Sequence, residues 1–168
     1  MYNGINLKKI KMEEIRKTIK DFFYFIDPDI RVSFYVKESN SLFVDVKMKD
    51  PQVLIGEKGQ VLFEIEGLIK KVVFQKKGRK EPLFINLDIN DYKKRKADYL
   101  KDLAREAAEE VFFTGVEKEF PPMSPFERRV IHHALSQKRG IVTESFGEGS
   151  QRRVLIRKKK EEEDRESS

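Results

Sequence analysis

The sequence predicts an α+β protein made of two small domains, each with its own sheet, and three observations support this prediction. Apolar residues recur every three or four positions in four segments, which is the spacing of amphipathic helices. In five short runs they alternate with polar residues, which is typical of strands. The 168 residues are enough for one ordinary domain or two small ones, and a change of pattern near Asn90 favours two.

The first half predicts the order helix, strand, strand, helix, strand. The predicted elements are Met12–Phe25, Val32–Val36, Leu42–Met48, Gln60–Gln75 and Leu83–Ile89. "DPD" ends the first helix, "ESNS" joins the first two strands as a hairpin, and "KKGRKEP" ends the second helix. The strand pattern predicts that one set of side chains faces the helices: Val32, Phe34, Val36, Val44 and Val46. The remaining aromatic residues then lie on the other side of the sheet: Tyr35, Phe43 and Phe84.

The second half begins with a long helix, for which Asn90 or Asp91 is the expected cap and Gly115 the expected end. In "SPFERRVIHHAL" the first, second and fourth residues fit an N-cap, a first helical position and a capping-box partner: Ser124, Pro125 and Glu127. Two strands follow near Ile141–Phe146 and Arg152–Arg157, joined by "GEGSQ". We therefore place the first domain at 1–90, the second at 91–158, and a disordered charged tail at 159–168.

The composition excludes several classes of protein. The chain has no cysteine, so we expect neither disulfides nor thiolate chemistry, and a cytoplasmic location fits. No apolar stretch approaches the roughly 20 residues that span a bilayer, and the N-terminus lacks a signal-peptide core, so we expect no membrane insertion. A net charge of +6 and a pI near 9.3 permit a polyanionic partner without identifying it.

The stretch "VLIGEKGQ" predicts a turn that a phosphate backbone can approach. Gly56 and Gly59 have no Cβ atom, so the chain can turn sharply and a ligand can come close. The helix that begins at Gln60 presents unpaired N–H groups and a positive dipole end, which favour phosphate. Val53 and Ile55 would line the groove beside this turn. A structural turn with no ligand is the alternative, since two glycines at this spacing are common.

The two middle residues of that turn have opposite charges. Lys58 favours a phosphate and Glu57 opposes it, so we expect weaker binding than two basic residues would give.

The helix that begins near Ser124 has a basic face opposite its apolar face. At about 100° per residue, Arg128, His132 and Arg139 fall together, with Arg129 beside them. Arginine can form two bonds to a phosphate, and histidine can donate a hydrogen bond or stack on a base. We expect both Arg128 and His132 to project into solvent, although such pairs are more often an ordinary solvated face.

Four basic residues, Lys93–Lys96, lie in the first turn of the long helix, where the helix dipole disfavours positive charge. Asp91 offsets part of this, so an anionic partner is expected, with Lys94 and Lys96 as phosphate contacts. The alternative is that they are exposed lysines with no partner.

Enzymatic interpretations fit poorly. His132 and His133 are adjacent, so they point about 100° apart on one helix and cannot share a metal. No nucleophile stands beside a base in a recognisable motif. Three carboxylates of the long helix fit a solvated face: Glu106, Glu109 and Glu110. We therefore predict no enzyme and no cofactor, with a metal-dependent nuclease as the enzymatic alternative.

Four segments together resemble a known family. "LIGEKGQ", "DYKKRKADYLKDLA", "PMSPFERRVIHHAL" and "VTESFGEGSQRRVLI" occur in the same order in the bacterial Jag family, the sporulation-protein-associated RNA-binding proteins also called KhpB. The resemblance extends over Met12–Lys158. It implies a type II KH domain with its loop at Gly56–Gly59, then an R-three-H domain whose motif is Arg128 and His132. Many members begin with an additional small domain, whereas this chain starts almost directly at the KH helix.

The resemblance implies a non-catalytic protein that binds single-stranded RNA, with single-stranded DNA as a second ligand. Its implied role is post-transcriptional regulation or cell-envelope growth, and its implied partner is a second small KH protein or another copy of itself. Arg152 and Arg153, in the segment "SQRRVLI", join the expected contacts. The alternative is a protein-interaction adaptor in which the KH fold serves docking and nucleic acid is secondary.

Overall fold

The computed structural model describes the backbone of residues 3–36, 41–77 and 83–159, and the side chains of residues 12–36, 41–75 and 83–159. Most of the charged tail predicted to be disordered, and parts of the two predicted loops "ESNS" and "KKGRKEP", lie outside these residues. The chain forms two compact units, Met1–Lys93 and Lys94–Ser168. The division falls three residues after the predicted boundary at 90.

The described part of the first unit contains three α-helices, one of them only four residues long, and three strands. Its elements are α1 (Asn3–Ile26), β1 (Arg31–Val36), β2 (Ser41–Lys47), α2 (Gln52–Ile55), α3 (Gln60–Lys77) and β3 (Phe84–Ile89). The first helix begins at Asn3 and not at Met12, since no proline interrupts the residues before Met12. The four-residue helix α2 was not predicted.

The sheet of this unit has the order β1-β2-β3, with β1 antiparallel and β3 parallel to β2. Alternation along β2 buries Leu42, Val44 and Val46 on one face, in a single core with apolar side chains of α1 and α3. The predicted inward set is right except for Val36, which is exposed at the end of the edge strand β1.

The other face of the sheet carries aromatic side chains, as predicted. The rings of Tyr35 and Phe43 stack with their centroids 5.0 Å apart. Phe84 is 66% exposed, whereas its neighbour Ile85 is buried. These three aromatic residues, Tyr35, Phe43 and Phe84, are called the aromatic face below.

The predicted cap of the long helix was assigned to the wrong side chain. Asn90 bonds instead to the backbone of Met48, accepting from its N–H at 2.9 Å and donating to its carbonyl at 2.8 Å. Asp91 bonds to Lys47 at 2.6 Å. Asp88 Oδ1 accepts a bond from the N–H of Lys93 at 2.9 Å and so caps the first turn.

The second unit packs two helices against a small sheet. Its elements are α4 (Tyr92–Thr114), which starts at the end of the first unit, β4 (Lys118–Glu119), α5 (Pro125–Leu135), β5 (Ile141–Phe146) and β6 (Arg153–Lys158). The strand order is β4-β6-β5 and all pairs are antiparallel. The core contains apolar side chains of each helix and of β5 and β6: Ala104, Ala108, Val111, Ile131, Leu135, Ile141, Val154 and Ile156. The strand β4 was not predicted, but the α+β class is confirmed.

The start of α5 has the predicted capping box. The Ser124 side chain accepts from the N–H of Glu127 at 3.3 Å, and the Glu127 carboxylate accepts from the N–H of Ser124 at 2.7 Å. Pro125 occupies the first helical turn as expected.

Candidate nucleic-acid interface

The glycine turn lies between α2 and α3 and has an unusual backbone. Residues Glu57–Gly59 form one 3₁₀ turn, and α3 begins at Gln60. Positive φ values occur at Gly56 (+71°), Lys58 (+50°) and Gly59 (+83°). Lys58 is the one non-glycine residue of the three, so its side chain is held in a conformation that L-residues adopt at a cost.

Both glycines are needed for packing as well as for backbone freedom. A Cβ atom at Gly56 would lie 2.4 Å from Cγ2 of Val61. One at Gly59 would lie 2.8 Å from Cε1 of Tyr92, whose ring rests against the turn. Tyr92 was not among the predicted site residues, because the sequence gives no sign that it reaches this loop.

The turn presents two backbone donors side by side. Within the part of the chain that the structure describes, the amide N–H groups of Glu57 and Lys58 have no hydrogen-bond partner. The N–H of Gly59 bonds to the carbonyl of Gly56 at 3.3 Å. The side chains of Glu57 and Lys58 are both exposed. Adjacent free amides at a turn form a concave anion-binding surface, and the lysine adds a cation to it.

The predicted neighbours of the turn differ in accessibility. Val53 is 73% exposed on α2, so it offers an apolar surface next to the turn. Ile55 is 3% exposed and belongs to the core, so the expectation that it lines a groove was wrong. Gln60 is exposed, and its side chain bonds to Glu64 at 2.9 Å.

The ring of His132 does not project into solvent as expected. Its Nδ1 lies 2.7 Å from Oγ1 of Thr143, and its Nε2 lies 2.7 Å from Oγ of Ser145. Thr143 and Ser145 are two apart on β5, so they share one face of the strand. Burial, and then the charge of Arg128, lower the pKa of His132 below its usual value. His133, by contrast, is exposed.

Arg128 is half-buried among positive charges. Its Nε is buried and has no hydrogen-bond partner in the described part of the chain. Burial lowers the pKa of Arg128, and the charges of Arg152 and Arg129 lower it further. Arg128, Arg129 and Arg152, called the arginine cluster below, form no ion pair with a described carboxylate. Such a cluster fits a phosphate group, which can accept bonds from more than one guanidinium.

The other predicted basic contacts differ in exposure and in partners. Arg139 and Lys94 are exposed, and Lys94 also interacts with another group of the chain. Arg153 is occupied, since it lies 3.6 Å from Glu119 and over the ring of Phe146. Lys96 also has a partner, Glu127, at 3.2 Å.

Lys93 was expected among the basic residues that face an anionic partner, but it is buried and bonded to the carboxylate of Glu66. The first turn of α4 is therefore partly neutralised within the chain, contrary to expectation.

The described residues show neither a membrane-spanning helix nor a metal-binding cluster. None of the helices there combines the length and apolar character that a membrane crossing requires. The same residues contain no group of three or more His, Asp or Glu side chains placed to hold a metal ion.

Comparison with known protein families identifies one domain in the second half of the chain. The profile of the R-three-H domain matches residues 98–158, which lie in the second unit. The second unit therefore contains an R-three-H domain.

Curated relatives extend the similarity into the first unit. The chain is 35% identical over 133 residues to "RNA-binding protein KhpB" of Clostridium symbiosum, covering 79% of this chain and 59% of that protein. It is 28% identical over 122 residues to the protein of that name from Streptococcus pneumoniae (73% and 36%). With the Bacillus subtilis protein it shares 31% over 110 residues (64% and 52%). The chain belongs to the Jag (KhpB) family, and it spans less than two thirds of the length of each of these relatives.

Proposed function

We propose that this chain is a non-catalytic protein that binds single-stranded RNA through two surfaces, the glycine turn and the arginine cluster. In this proposal the first unit is a type II KH domain, because its helices and strands have the order of that domain and its turn precedes the second long helix. The curated relatives carry the name RNA-binding protein, which supports the choice of ligand.

The observation that carries the proposal is the pair of unpartnered amides at Glu57 and Lys58. An unpaired N–H costs free energy when it is shielded from water, and a phosphate oxygen can accept from both. The positive end of the α3 dipole adds to this attraction. KH domains hold about four nucleotides of a single strand at such a turn. The exposed side chain of Val53 offers an adjacent apolar contact for a base.

The arginine cluster would hold a second segment of the strand. After burial, the charge of Arg152 lowers the pKa of Arg128, and an anion placed beside the two guanidinium groups offsets that repulsion. The buried Nε of Arg128 would also gain the partner that it lacks. Arg129 and the exposed Arg139 would contact the backbone further along the strand. Single-stranded DNA shares this phosphate chemistry and is a second ligand of the same surfaces.

This proposal includes a cytoplasmic location and a role in post-transcriptional regulation or cell-envelope growth. It also includes pairing with a second small KH protein or with another copy of the chain.

The aromatic face favours the alternative function, a protein-interaction adaptor. Its Phe84 is 66% exposed, and exposed aromatic patches commonly contact other proteins.

The test changes the two middle residues of the turn and spares the glycines. Replacing both glycines with aspartate is unsuitable, because the new Cβ atoms would collide with Val61 and Tyr92. We expect Lys58→Glu to weaken binding of a labelled single-stranded RNA by about tenfold, and Glu57→Lys to strengthen it. Lys58→Asn is the matched control for the backbone conformation of the turn, since asparagine tolerates a positive φ.

Fluorescence anisotropy at fixed salt would compare single-stranded RNA, single-stranded DNA and duplex RNA. Equal affinities for the parent, Lys58→Glu and Glu57→Lys would show that the turn does not contact the strand. Binding that requires magnesium and is followed by cleavage would favour the nuclease alternative.

A further inference from the structure

We propose that His132 is a positioning residue and does not contact RNA: its ring joins α5 to β5 through Thr143 and Ser145 and so holds Arg128 beside Arg152. This inference rests on the proposed RNA binding by the arginine cluster. It assigns roles to Thr143 and Ser145 as well.

The bonding of the ring supports this role. Both ring nitrogens are 2.7 Å from a hydroxyl oxygen of β5, so neither is left for a ligand. A neutral imidazole has one donor and one acceptor nitrogen, and each hydroxyl can donate or accept. The neutral ring therefore satisfies both bonds in either tautomer, and a phosphate contact would require breaking one of them.

Two anchors fix the helix on either side of Arg128. On the N-terminal side, the capping box at Ser124 starts the helix, and the N–H of Met123 bonds to the carbonyl of Arg152 at 3.1 Å. On the C-terminal side, His132 follows Arg128 by four residues, which places it on the same side of α5 one turn later. The first anchor attaches the helix start to Arg152, and the second attaches the next turn to β5.

The charges around the ring also favour its neutral form. Arg128 on α5 is the charged group that lowers the pKa of His132, after burial. Thr143 and Ser145 on β5 are uncharged, and Glu144 between them is bonded to Arg157 at 2.7 Å. Protonating His132 would place a second cation next to Arg128.

Nitrogen-15 NMR of the imidazole rings in the full chain tests the ring directly. We expect the pKa of His132 to lie below 6.5, the usual value for histidine. We also expect it to stay below 6.5 after a ten-nucleotide single-stranded RNA is added. A phosphate bonded to the ring would raise the pKa of His132 above 6.5, and this outcome would overturn the proposal.

The hydroxyl variants test the link between the ring and RNA binding. We expect Thr143→Val with Ser145→Ala, which together remove both hydrogen bonds to the ring, to weaken RNA binding by about fivefold. Thr143→Ser keeps the hydroxyl and is expected to bind within about twofold of the parent. A triple variant that adds His132→Gln to these two substitutions should bind RNA no worse than the double variant, because all three substitutions remove the same link between α5 and β5.

Parent-like or tighter binding by the double variant would contradict a positioning role, since a freed ring would then be the better ligand. If the parent binds no RNA at all, the proposed function fails. The titration of His132 in the free protein still decides whether the ring occupies this site: a pKa of His132 at or above the usual 6.5 would overturn the assignment.

Discussion

Nζ of Lys96 lies 3.2 Å from Oε1 of Glu127, whose other carboxylate oxygen accepts from the N–H of Ser124 at 2.7 Å. One carboxylate thus joins α4 to the start of α5 and completes the capping box. Glu127 is buried, and a buried carboxylate needs partners of this kind. Lys96 therefore has a structural role in the second unit, although the sequence suggested a contact with phosphate.

Replacing Lys96 is expected to affect stability and not salt dependence. Lys96→Gln should lower the free energy of unfolding by about 0.5–1 kcal/mol, because it leaves the Glu127 carboxylate without its cation. The slope of log affinity against log salt should be unchanged. The exposed Lys94 is the matched control, and Lys94→Gln should reduce the slope by about 0.7. A reduced slope for Lys96→Gln would return this lysine to the RNA-binding surface.

Glu66 is expected to make the first unit sensitive to acid. Burial alone would raise the pKa of Glu66, but bonds from Lys70, Lys93 and the N–H of Leu87 hold it below its usual value of 4.5. A lowered carboxylate pKa gives stability that is present above pH 4.5 and is lost as pH falls through the folded-state value.

We expect Glu66→Gln to lower the free energy of unfolding at pH 7 by about 3 kcal/mol, because the buried Lys93 then loses its carboxylate partner. The variant should also lose less stability than the parent between pH 5 and 3. Glu64→Gln, on the exposed side of the same helix, is the control and should behave as the parent. Thermal unfolding followed by circular dichroism measures this, and parallel pH profiles for parent and Glu66→Gln would contradict the assignment.

The glycine turn should be intolerant of even one methyl group. Gly56 has φ +71° and ψ −178°, a region open essentially to glycine, and a Cβ atom there would lie 2.4 Å from Val61. Gly56→Ala should therefore lower the free energy of unfolding by about 2–3 kcal/mol. Gly67→Ala in α3 has open space around the new Cβ atom and should stabilise the chain by up to about 1 kcal/mol. Urea titrations that rank the two variants equally would show that the turn is not constrained.

Local patterns in the sequence predicted most of the fold. Helical spacing located α3 and α5 closely, strand alternation gave the buried face of the first sheet, and the motif at Ser124 gave a capping box that the structure confirms. Two elements were missed because they are too short to show a period. The helix α2 has four residues and the strand β4 has two.

Contacts distant in sequence account for the errors at the site. The polar face of α5 was equated with solvent, but Thr143 and Ser145 lie 11 and 13 residues beyond His132 and cover its ring. The partner of Lys93 is likewise 27 residues away. Helical periodicity describes one element at a time, so it cannot say which polar residues a second element will cover. In "VTESF", Thr143 and Ser145 are two residues apart, so both hydroxyl groups lie on one face of β5. This spacing was the signal that this face could form hydrogen bonds to such a ring.

Two adjacent arginines in the second unit should respond in opposite ways to the same substitution. Arg152 is exposed and lowers the pKa of Arg128 by charge repulsion, so Arg152→Gln should leave stability unchanged or raise it by up to about 0.5 kcal/mol. RNA binding should weaken, and the slope of log affinity against log salt should fall by about 0.7, because one phosphate contact is lost.

Arg153 is bonded to the carbonyl of Gln151 at 3.2 Å and lies 5.6 Å from the ring centroid of Phe146. Arg153→Gln should therefore lower stability while leaving the salt slope as it is. Chemical denaturation together with anisotropy at several salt concentrations separates the two effects. Equal slopes for the parent and both variants would show that the arginine cluster does not hold a phosphate.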